Sequence, residues 1–240
     1  MPTPPVEGPS PSHLRSLPRR DPDARAALAA AARGARPVSA AHERVVAVPG
    51  PLGMLLPGGG LRRGAVVAVD GAPGAGSTSV ALALAAAVTA SGEWVAAVDL
   101  ESTLGGRAAL EAGVALERFA VVRPARNGAL PPDHWATTVA VLLDGVSLVL
   151  AELPRSVRLA DARRLVARAR EREVILVLLE HTAQGVTWPA DATLRVRAAG
   201  GAWPGLAAGL LVERTVQVQV QGRGRATRPR SGAVARARAG

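Results

Sequence analysis

Short apolar runs alternate with helix-like segments through the middle of the chain. The runs are four to six residues long and uninterrupted, as is typical of strands buried on both faces of a parallel sheet. The pattern predicts strands at 44–48, 65–69, 93–98, 119–122, 147–150 and 174–179, and helices at 77–90, 107–113, 134–143 and 159–172. We therefore expect an α/β domain with a mostly parallel sheet flanked by helices.

Two later strands, predicted at 192–197 and 210–220, complete this domain. The second of them alternates Val216, Val218 and Val220 with Gln217, Gln219 and Gln221. Alternation of this kind is typical of a strand with one face packed and the other in water. We expect both strands to close the domain as antiparallel strands.

The two ends of the chain have the composition of disordered segments. Residues 1–20 contain six prolines, together with Ser and Arg. An Ala-rich helix is predicted from Asp21 to about Arg33, with Asp21 as its cap, and a linker follows to residue 43. The core domain is then expected at 44–221, and a basic disordered tail at 222–240.

The positive charge of the chain is concentrated in that tail. The formal net charge is +10, and every basic residue is Arg. The last twenty residues contribute +6 and residues 1–43 contribute +2, which leaves +2 for residues 44–220. The arginines of the tail are Arg223, Arg225, Arg228, Arg230, Arg236 and Arg238. They can bind DNA phosphates or a protein partner, or they can simply keep the protein in solution.

The composition excludes several kinds of site. There is no Cys, which excludes disulfides and thiolate metal sites, and the four His residues have no paired spacing, so no metal site is expected. The sequence shows neither a secretory signal nor an apolar stretch long enough to span a membrane. We therefore expect a cytoplasmic protein that makes no membrane contact.

A glycine-rich loop lies between the strand at 65–69 and the helix at 77–90. From Gly71 to Thr78 it has the sequence Gly-Ala-Pro-Gly-Ala-Gly-Ser-Thr, in the strand–loop–helix context that a Walker A loop requires. The backbone N–H groups of such a loop and the N-terminus of the helix can hold an anion. The residues expected at this degenerate nucleotide site are Gly71, Gly74, Ala75, Gly76, Ser77, Thr78 and Ser79.

The lysine of the Walker A motif is missing from this loop. Ser77 occupies its position, whereas Thr78 occupies the position of the hydroxyl that holds magnesium. A serine offers the phosphates a hydrogen bond but no charge. The chain has no lysine to replace it, and Arg62 or Arg63 would be a poor geometric substitute. The loop is therefore a structural turn, or a site that binds ATP and Mg²⁺ weakly; turnover is the least favoured alternative.

Several motifs, in this order along the chain, resemble the core of the RecA family. They are the Gly-rich segment 58–64, the loop at 71–78, the strand end Val98-Asp99-Leu100-Glu101, the strand 147–150 leading to Glu152, the pair Glu180-His181, and the segment 190–196. The resemblance implies a RecA-like, P-loop NTPase-type fold. It makes Glu101 a relic of the water-activating glutamate and Glu152 a relic of the Walker B aspartate, and no residue is assigned a catalytic role.

The departures from the RecA pattern exclude strand exchange. Where RecA has the Asn-Gln pair that senses the γ-phosphate, this sequence has Glu180 and His181. Only one helix fits between residues 153 and 173, where RecA has a long segment with its first DNA-binding loop, and the second loop shrinks to about 182–189. Strand exchange needs both loops, so we do not expect a recombinase.

A degenerate RecA-like chain of this size, rich in Ala and Arg, is similar to the ImuA group, including its actinobacterial ImuA-prime type. The similarity implies a non-catalytic accessory protein of DNA-damage-induced, error-prone translesion synthesis that needs no cofactor and associates with the nucleoid on DNA damage. The implied partners are ImuB, which is a relative of Y-family polymerases, a C-family error-prone polymerase, RecA and, through the basic tail, DNA. The alternatives are a nucleotide-binding switch or weak ATPase in DNA repair, and a plain DNA-binding accessory that uses the tail.

Three further residues are interpreted from their neighbours in the sequence. His181 is predicted to be a structural histidine rather than a ligand or a base. Trp188 and Trp203 lie beside Pro189 and Pro204. Each tryptophan is either a part of the core or an exposed anchor for a partner, because Trp is enriched at interface hot spots.

Overall fold

The computed structural model describes residues 45–124, 131–180, 185–207, 210–222 and 228–237, without the side chains of residues 132, 203–207, 210–213 and 235–237. The predicted disordered segment 1–20 and the predicted helix and linker at 21–43 lie outside the described residues. Within them, no helix is both long and apolar enough to cross a membrane.

The helices and strands follow the predicted order closely. The strands are β1 Val45–Ala47, β2 Gly60–Arg62, β3 Val66–Gly71, β4 Val95–Val98, β5 Phe119–Val122, β6 Leu148–Glu152, β7 Ile175–Leu179, β8 Leu194–Ala207, β9 Leu210–Gly222 and β10 Arg230–Ala237. The α-helices are α1 Gly50–Leu55, α2 Ser77–Ala90, α3 Gly106–Glu111, α4 Pro132–Leu142 and α5 Leu159–Glu171, and short 3₁₀ turns lie at Pro57–Gly59 and Leu116–Arg118. The first helix, the 3₁₀ turns and β2 were not predicted, because each is too short to show a period.

Eight of these strands form one sheet, in the order β10-β9-β8-β3-β7-β6-β4-β5. The six strands from β8 to β5 are parallel to their neighbours, whereas β9 and β10 pair in antiparallel fashion. The prediction of a mostly parallel sheet flanked by helices is therefore confirmed. The carboxyl ends of the parallel strands meet at one edge, which is where ligand sites of such sheets lie.

Each face of the sheet has its own apolar core. On one face α2 packs over β3, β6, β7 and β8, and α1 packs on β9 and β10; Val67 and Val69 of β3 point into that core. On the other face α4 and α5 pack over the central strands, and Val66 and the indole of Trp135 are buried there. Val, Ala and Leu make up most of both cores, as expected for a parallel sheet covered on both faces.

The structure corrects two predictions about the last strands. The two closing strands are antiparallel to each other, as predicted, but β8 also pairs with β3, to which it runs parallel, with Ala68 opposite Arg195. Residues 230–237 were assigned to a disordered tail, but they form β10, which pairs with β9 so that Gly232 lies opposite Val218. The arginines on both sides of this segment hide its strand pattern in the sequence, since a basic composition indicates a solvated tail.

The turn that leads into β4 is tied to the segment after β2 by an ion pair. Arg63 donates two hydrogen bonds to the carboxylate of Glu93, at 2.6 and 3.0 Å. Burial raises the pKa of Glu93, but the hydrogen bonds from Arg63, Ser147 and Ser91 outweigh it, so that the pKa lies below its ordinary value. Arg63 is thus held away from the glycine-rich loop, and it is not the substitute for the missing lysine.

Replacing Glu93 by glutamine should lower the free energy of unfolding by about 1 kcal/mol at pH 7, because it removes a partly buried, charge-assisted pair. A carboxylate whose folded pKa is depressed contributes stability above its unfolded pKa and loses it as the pH falls through the folded value. The difference between wild type and variant should therefore shrink below about pH 4. Urea unfolding at several pH values measures this difference in the free energy of unfolding. Glu111→Gln, in an exposed pair with Arg107, should cost less than about 0.5 kcal/mol, and an equal cost for both variants would contradict this prediction.

Candidate functional site

The glycine-rich loop connects β3 to α2 at the carboxyl edge of the sheet, as predicted. Gly74 and Gly76 have φ of +76° and +107°, a left-handed region that favours glycine. A Cβ on Gly76 would also lie only 2.9 Å from Cγ2 of Val216. The helix begins at Ser77, directly after this glycine. The backbone shape of a phosphate-binding loop is therefore retained although its lysine is absent.

A strand far away in the sequence touches this loop. Arg214 of β9 donates a hydrogen bond from Nη2 to the carbonyl oxygen of Gly74, and Val216 packs against Gly76. Arg214 therefore contacts the loop directly, and Arg197 lines a cavity beside it, whereas Arg63 is paired with Glu93. The sequence shows no local sign of this contact, because it depends on the register between β8 and β9.

A cavity of about 260 Å³ opens between the loop and the ends of β4, β6 and β7. Four carboxylates line it, and the residues that line it in the described part of the chain include no basic side chain. The acids are Asp99, Glu101, Glu152 and Glu180. Sequence reasoning singled out Glu101 and Glu152 as relics, and the structure places both at this cavity beside Ser77 and Thr78.

Glu152 connects the ends of two neighbouring strands. Its side chain is buried, and its Oε2 accepts hydrogen bonds from the backbone N–H groups of Leu100 and Glu101, at 2.8 and 3.1 Å. Leu100 and Glu101 follow β4, whereas Glu152 ends β6. A carboxylate oxygen held by two amides has a structural role at this position, where the RecA pattern has a magnesium-binding acid.

Asp99 is fully buried and organises the turn after β4. Its two oxygens accept hydrogen bonds from the N–H groups of Thr103 and Leu104, at 2.9 and 3.1 Å. Arg123, just past β5, donates from Nε to the same carboxylate at 2.9 Å. In the sequence, Asp99 is recognisable only as part of the motif Val98-Asp99-Leu100-Glu101. It lies too far from Arg123 along the chain for the sequence to reveal their ion pair.

Glu180 stands at the end of β7 and is buried. It accepts hydrogen bonds from the backbone N–H of Trp188, at 2.7 Å, and from Nη1 of Arg195, at 3.1 Å.

Several residues singled out in the sequence lie outside the described part of the chain. They are His181, the side chain of Trp203, and the tail residues Arg223, Arg225 and Arg238. Trp188 is buried. It is therefore a part of the core and not an exposed anchor for a partner.

Glu101 differs from the other three acids because it is exposed. Its backbone N–H binds Glu152, while its side chain faces the cavity. Two of the other carboxylates, Asp99 and Glu180, are ion-paired with arginines that do not line the cavity. Among the described residues, no group of three or more His, Asp or Glu is arranged to hold a metal ion.

Residues 54–190, more than half of the chain, match the model of the protein family described as the MT3502 N-terminal domain. The crystal structure of the RadB recombinase is similar, with a TM-score of 0.52 and 17% identity over 76% of this chain and 91% of the RadB chain. In all, 480 chains of solved structures match. No curated protein matches. At 17% identity the likeness to RadB shows the fold alone, and this fold is RecA-like, as predicted.

Proposed function

We propose that this chain, which belongs to the MT3502 N-terminal domain family and has a RecA-like fold, is a non-catalytic RecA-like adaptor. One observation carries the proposal. The cavity that reaches Ser77 and Thr78 is lined by four carboxylates and, in the part of the chain that the structure describes, by no basic side chain; Arg197 lines a separate cavity at the same loop. An adaptor needs the fold as a scaffold, and it does not need phosphate chemistry at this loop.

Electrostatics oppose a nucleotide in this cavity. A P-loop site normally compensates the negative charge of the triphosphate with a lysine and a magnesium ion. Two like unit charges 6 Å apart repel by about 3 kcal/mol at an effective dielectric constant of 20. The carboxylates of Glu101 and Glu152 line this cavity, as does Glu180, whose charge is compensated by Arg195. Ser77 supplies no compensating charge. The expected affinity for Mg-ATP is therefore far below that of a working ATPase.

The structural use of the acids supports the same conclusion. Glu152 holds two backbone N–H groups, and Glu180 holds Arg195 and the N–H of Trp188. These hydrogen bonds hold each carboxylate in place at the end of its strand. The arrangement suits the two acids to a structural role at the strand ends.

The order of RecA-like motifs and the similarity to the ImuA group suggest the pathway of this adaptor. We propose that it acts in DNA-damage-induced, error-prone translesion synthesis, with ImuB as its direct partner and a C-family error-prone polymerase and RecA as further partners. Association with the nucleoid after DNA damage belongs to the same proposal. What supports it is the sequence resemblance, together with a fold shared with RadB recombinase.

Calorimetric titration with Mg-ATP tests whether the loop binds a nucleotide. Wild type should show no binding heat, which corresponds to a Kd weaker than about 1 mM. Ser77→Lys restores the missing cation and should bind at least about tenfold more tightly than wild type, a gain of about 1.4 kcal/mol. Micromolar binding by wild type would instead favour a nucleotide-binding switch or a weak ATPase.

The adaptor and the switch also differ in how they capture a partner. Purified ImuB-type protein should be retained by the adaptor equally well with Mg-ATP, with ADP and after removal of all nucleotide by apyrase. Ser77→Ala, which removes the hydroxyl at the position of the missing lysine, is the matched control and should retain as much partner as wild type. Capture that requires ATP, or that Ser77→Ala abolishes, would contradict a nucleotide-independent adaptor.

A further inference from the structure

The three strands β8, β9 and β10 expose one face of the sheet. Their apolar positions point into the core beneath α2, where Val196, Val218 and Val220 are buried. The alternate positions point to the other side, where they are exposed to solvent. We call this side the open face, and its residues are Arg195, Arg197, Gln217, Gln219, Gln221 and Ser231.

Strand register places these side chains in rows across the sheet. Arg197 of β8 lies opposite Gln219 of β9, and Gln219 lies opposite Ser231 of β10. Arg195 lies opposite Gln221 in the neighbouring row. Neighbouring strands are about 4.8 Å apart, and successive side chains on one face of a strand are about 6.7 Å apart. The open face is therefore a compact grid of guanidinium, amide and hydroxyl groups.

The charge of this face is positive on its outer side. The side chain of Arg195 is 50% exposed and that of its partner Glu180 is 1% exposed; the values for Arg197 and Asp70 are 62% and 11%. The carboxylates are thus buried under the guanidinium groups. Both arginines keep half or more of their side-chain surface exposed, so a partner that approaches this face meets the two guanidinium groups before the carboxylates.

The side chains of the open face suit phosphate groups. Arginine, glutamine and serine all donate hydrogen bonds to phosphate oxygens, and such contacts carry no sequence information. None of the six side chains named for this face is an aromatic ring on which an unpaired base could stack, which is what single-strand binders use; the side chain of Trp203, in β8, lies outside the described residues. A duplex keeps its bases stacked internally and presents one negative charge per 1.7 Å of helix axis.

We propose that the open face binds the phosphate backbone of double-stranded DNA without reading its sequence. This site is formed by paired strands, so it differs from a free basic tail. It is also independent of the glycine-rich loop and of any polymerase partner. If partner capture fails while DNA binding persists, the proposed adaptor function is wrong and this inference stands.

The test introduces negative charge on the face without disturbing its buried ion pairs. Substituting Arg195 or Arg197 would leave Glu180 or Asp70 without its partner, so those arginines are kept. Gln219→Glu with Gln221→Glu adds two carboxylates at exposed positions, and Leu110→Glu with Val141→Glu adds two at exposed positions on α3 and α4. Both double variants lower the net charge by the same amount, which makes the second a matched control.

Fluorescence anisotropy with a labelled 30-base-pair duplex in about 50–200 mM salt measures the binding. The face variant should bind at least about tenfold more weakly than wild type, and its affinity should depend less steeply on salt. The control variant should stay within about threefold of wild type. Thermal unfolding checks that each variant is folded, and single Gln219→Glu and Ser231→Glu variants replace the double variant if it is not.

Four results would overturn the inference. They are an absence of duplex binding by wild type at 50 mM salt, an equal loss in both double variants, tighter binding of a single strand of the same length, and displacement of the duplex by polyglutamate. The second result would mean that net charge alone matters. The last would mean that the face binds an acidic protein.

Discussion

Replacing Trp135 by alanine is expected to lower the free energy of unfolding by about 4 kcal/mol. Trp135 is one of two tryptophans in the core formed by α4 and α5, and it is completely buried. Removing a buried indole loses its transfer free energy and leaves a cavity that the close-packed surroundings cannot fill. The substitution also removes the hydrogen bond from Nε1 to the carbonyl oxygen of Glu152, at 2.9 Å. Denaturant unfolding of wild type and variant with equal m-values measures this difference.

Two other variants separate the contributions to this effect. Trp135→Phe keeps an aromatic ring in the core but leaves the carbonyl oxygen of Glu152 without its donor, so it should cost about 2 kcal/mol. Trp94→Ala removes an exposed tryptophan and should cost less than about 1 kcal/mol. If Trp135→Ala were no more damaging than Trp94→Ala, the packing described for α4 would be wrong.

Replacing Asp99 by alanine should lower the free energy of unfolding by about 3 kcal/mol. The carboxylate is fully buried and accepts hydrogen bonds from two backbone N–H groups and from Arg123. The N–H of Leu104 is itself buried, so it would lose its acceptor without gaining water, whereas Thr103 is exposed and can be rehydrated. Arg123 is half-exposed, which reduces the cost of losing its partner. Thermal and urea unfolding both measure the change.

Glu101→Ala is the matched control for Asp99→Ala, because it removes a carboxylate at the same cavity, two residues further along the chain. Glu101 is exposed, so its removal should change the free energy of unfolding by less than about 0.5 kcal/mol. A small effect for Asp99→Ala, of less than about 1 kcal/mol, would show that the acid does not organise this turn. A large effect for Glu101→Ala would assign a structural role to a residue that we describe as facing the cavity.

The scaffold of the site was predictable because its signals are local. The helix at Ser77–Ala90 and the strand at Phe119–Val122 agree with their predicted bounds. Apolar runs that are bounded by Gly and Pro reveal buried strands, and Gly74 and Gly76 of the loop have the left-handed backbone that favours glycine. The order of such elements is enough to indicate a RecA-like fold.

The short elements were less predictable than the long ones. The helix Gly50–Leu55 and the strand Gly60–Arg62 were not predicted, since six or three residues are too few for a period to emerge. The parallel direction of β8 was also missed. A strand with one exposed face has the same alternation in either direction, so its direction depends on the neighbour with which it pairs.

The α/β order of this chain, the position of its glycine-rich loop and the absence of a lysine from that loop can all be read from the amino-acid sequence. The fold brings together the side chains at the loop: Arg214 reaches it from β9, Glu152 and Glu180 are held by backbone and by Arg195, and β10 extends the sheet. Periodicity and backbone preference act between residues that are close in the chain. The contact between Arg214 and Gly74 joins residues 140 positions apart, and the one between Glu152 and Leu100 joins residues 52 positions apart, so both exist only once the sheet has formed.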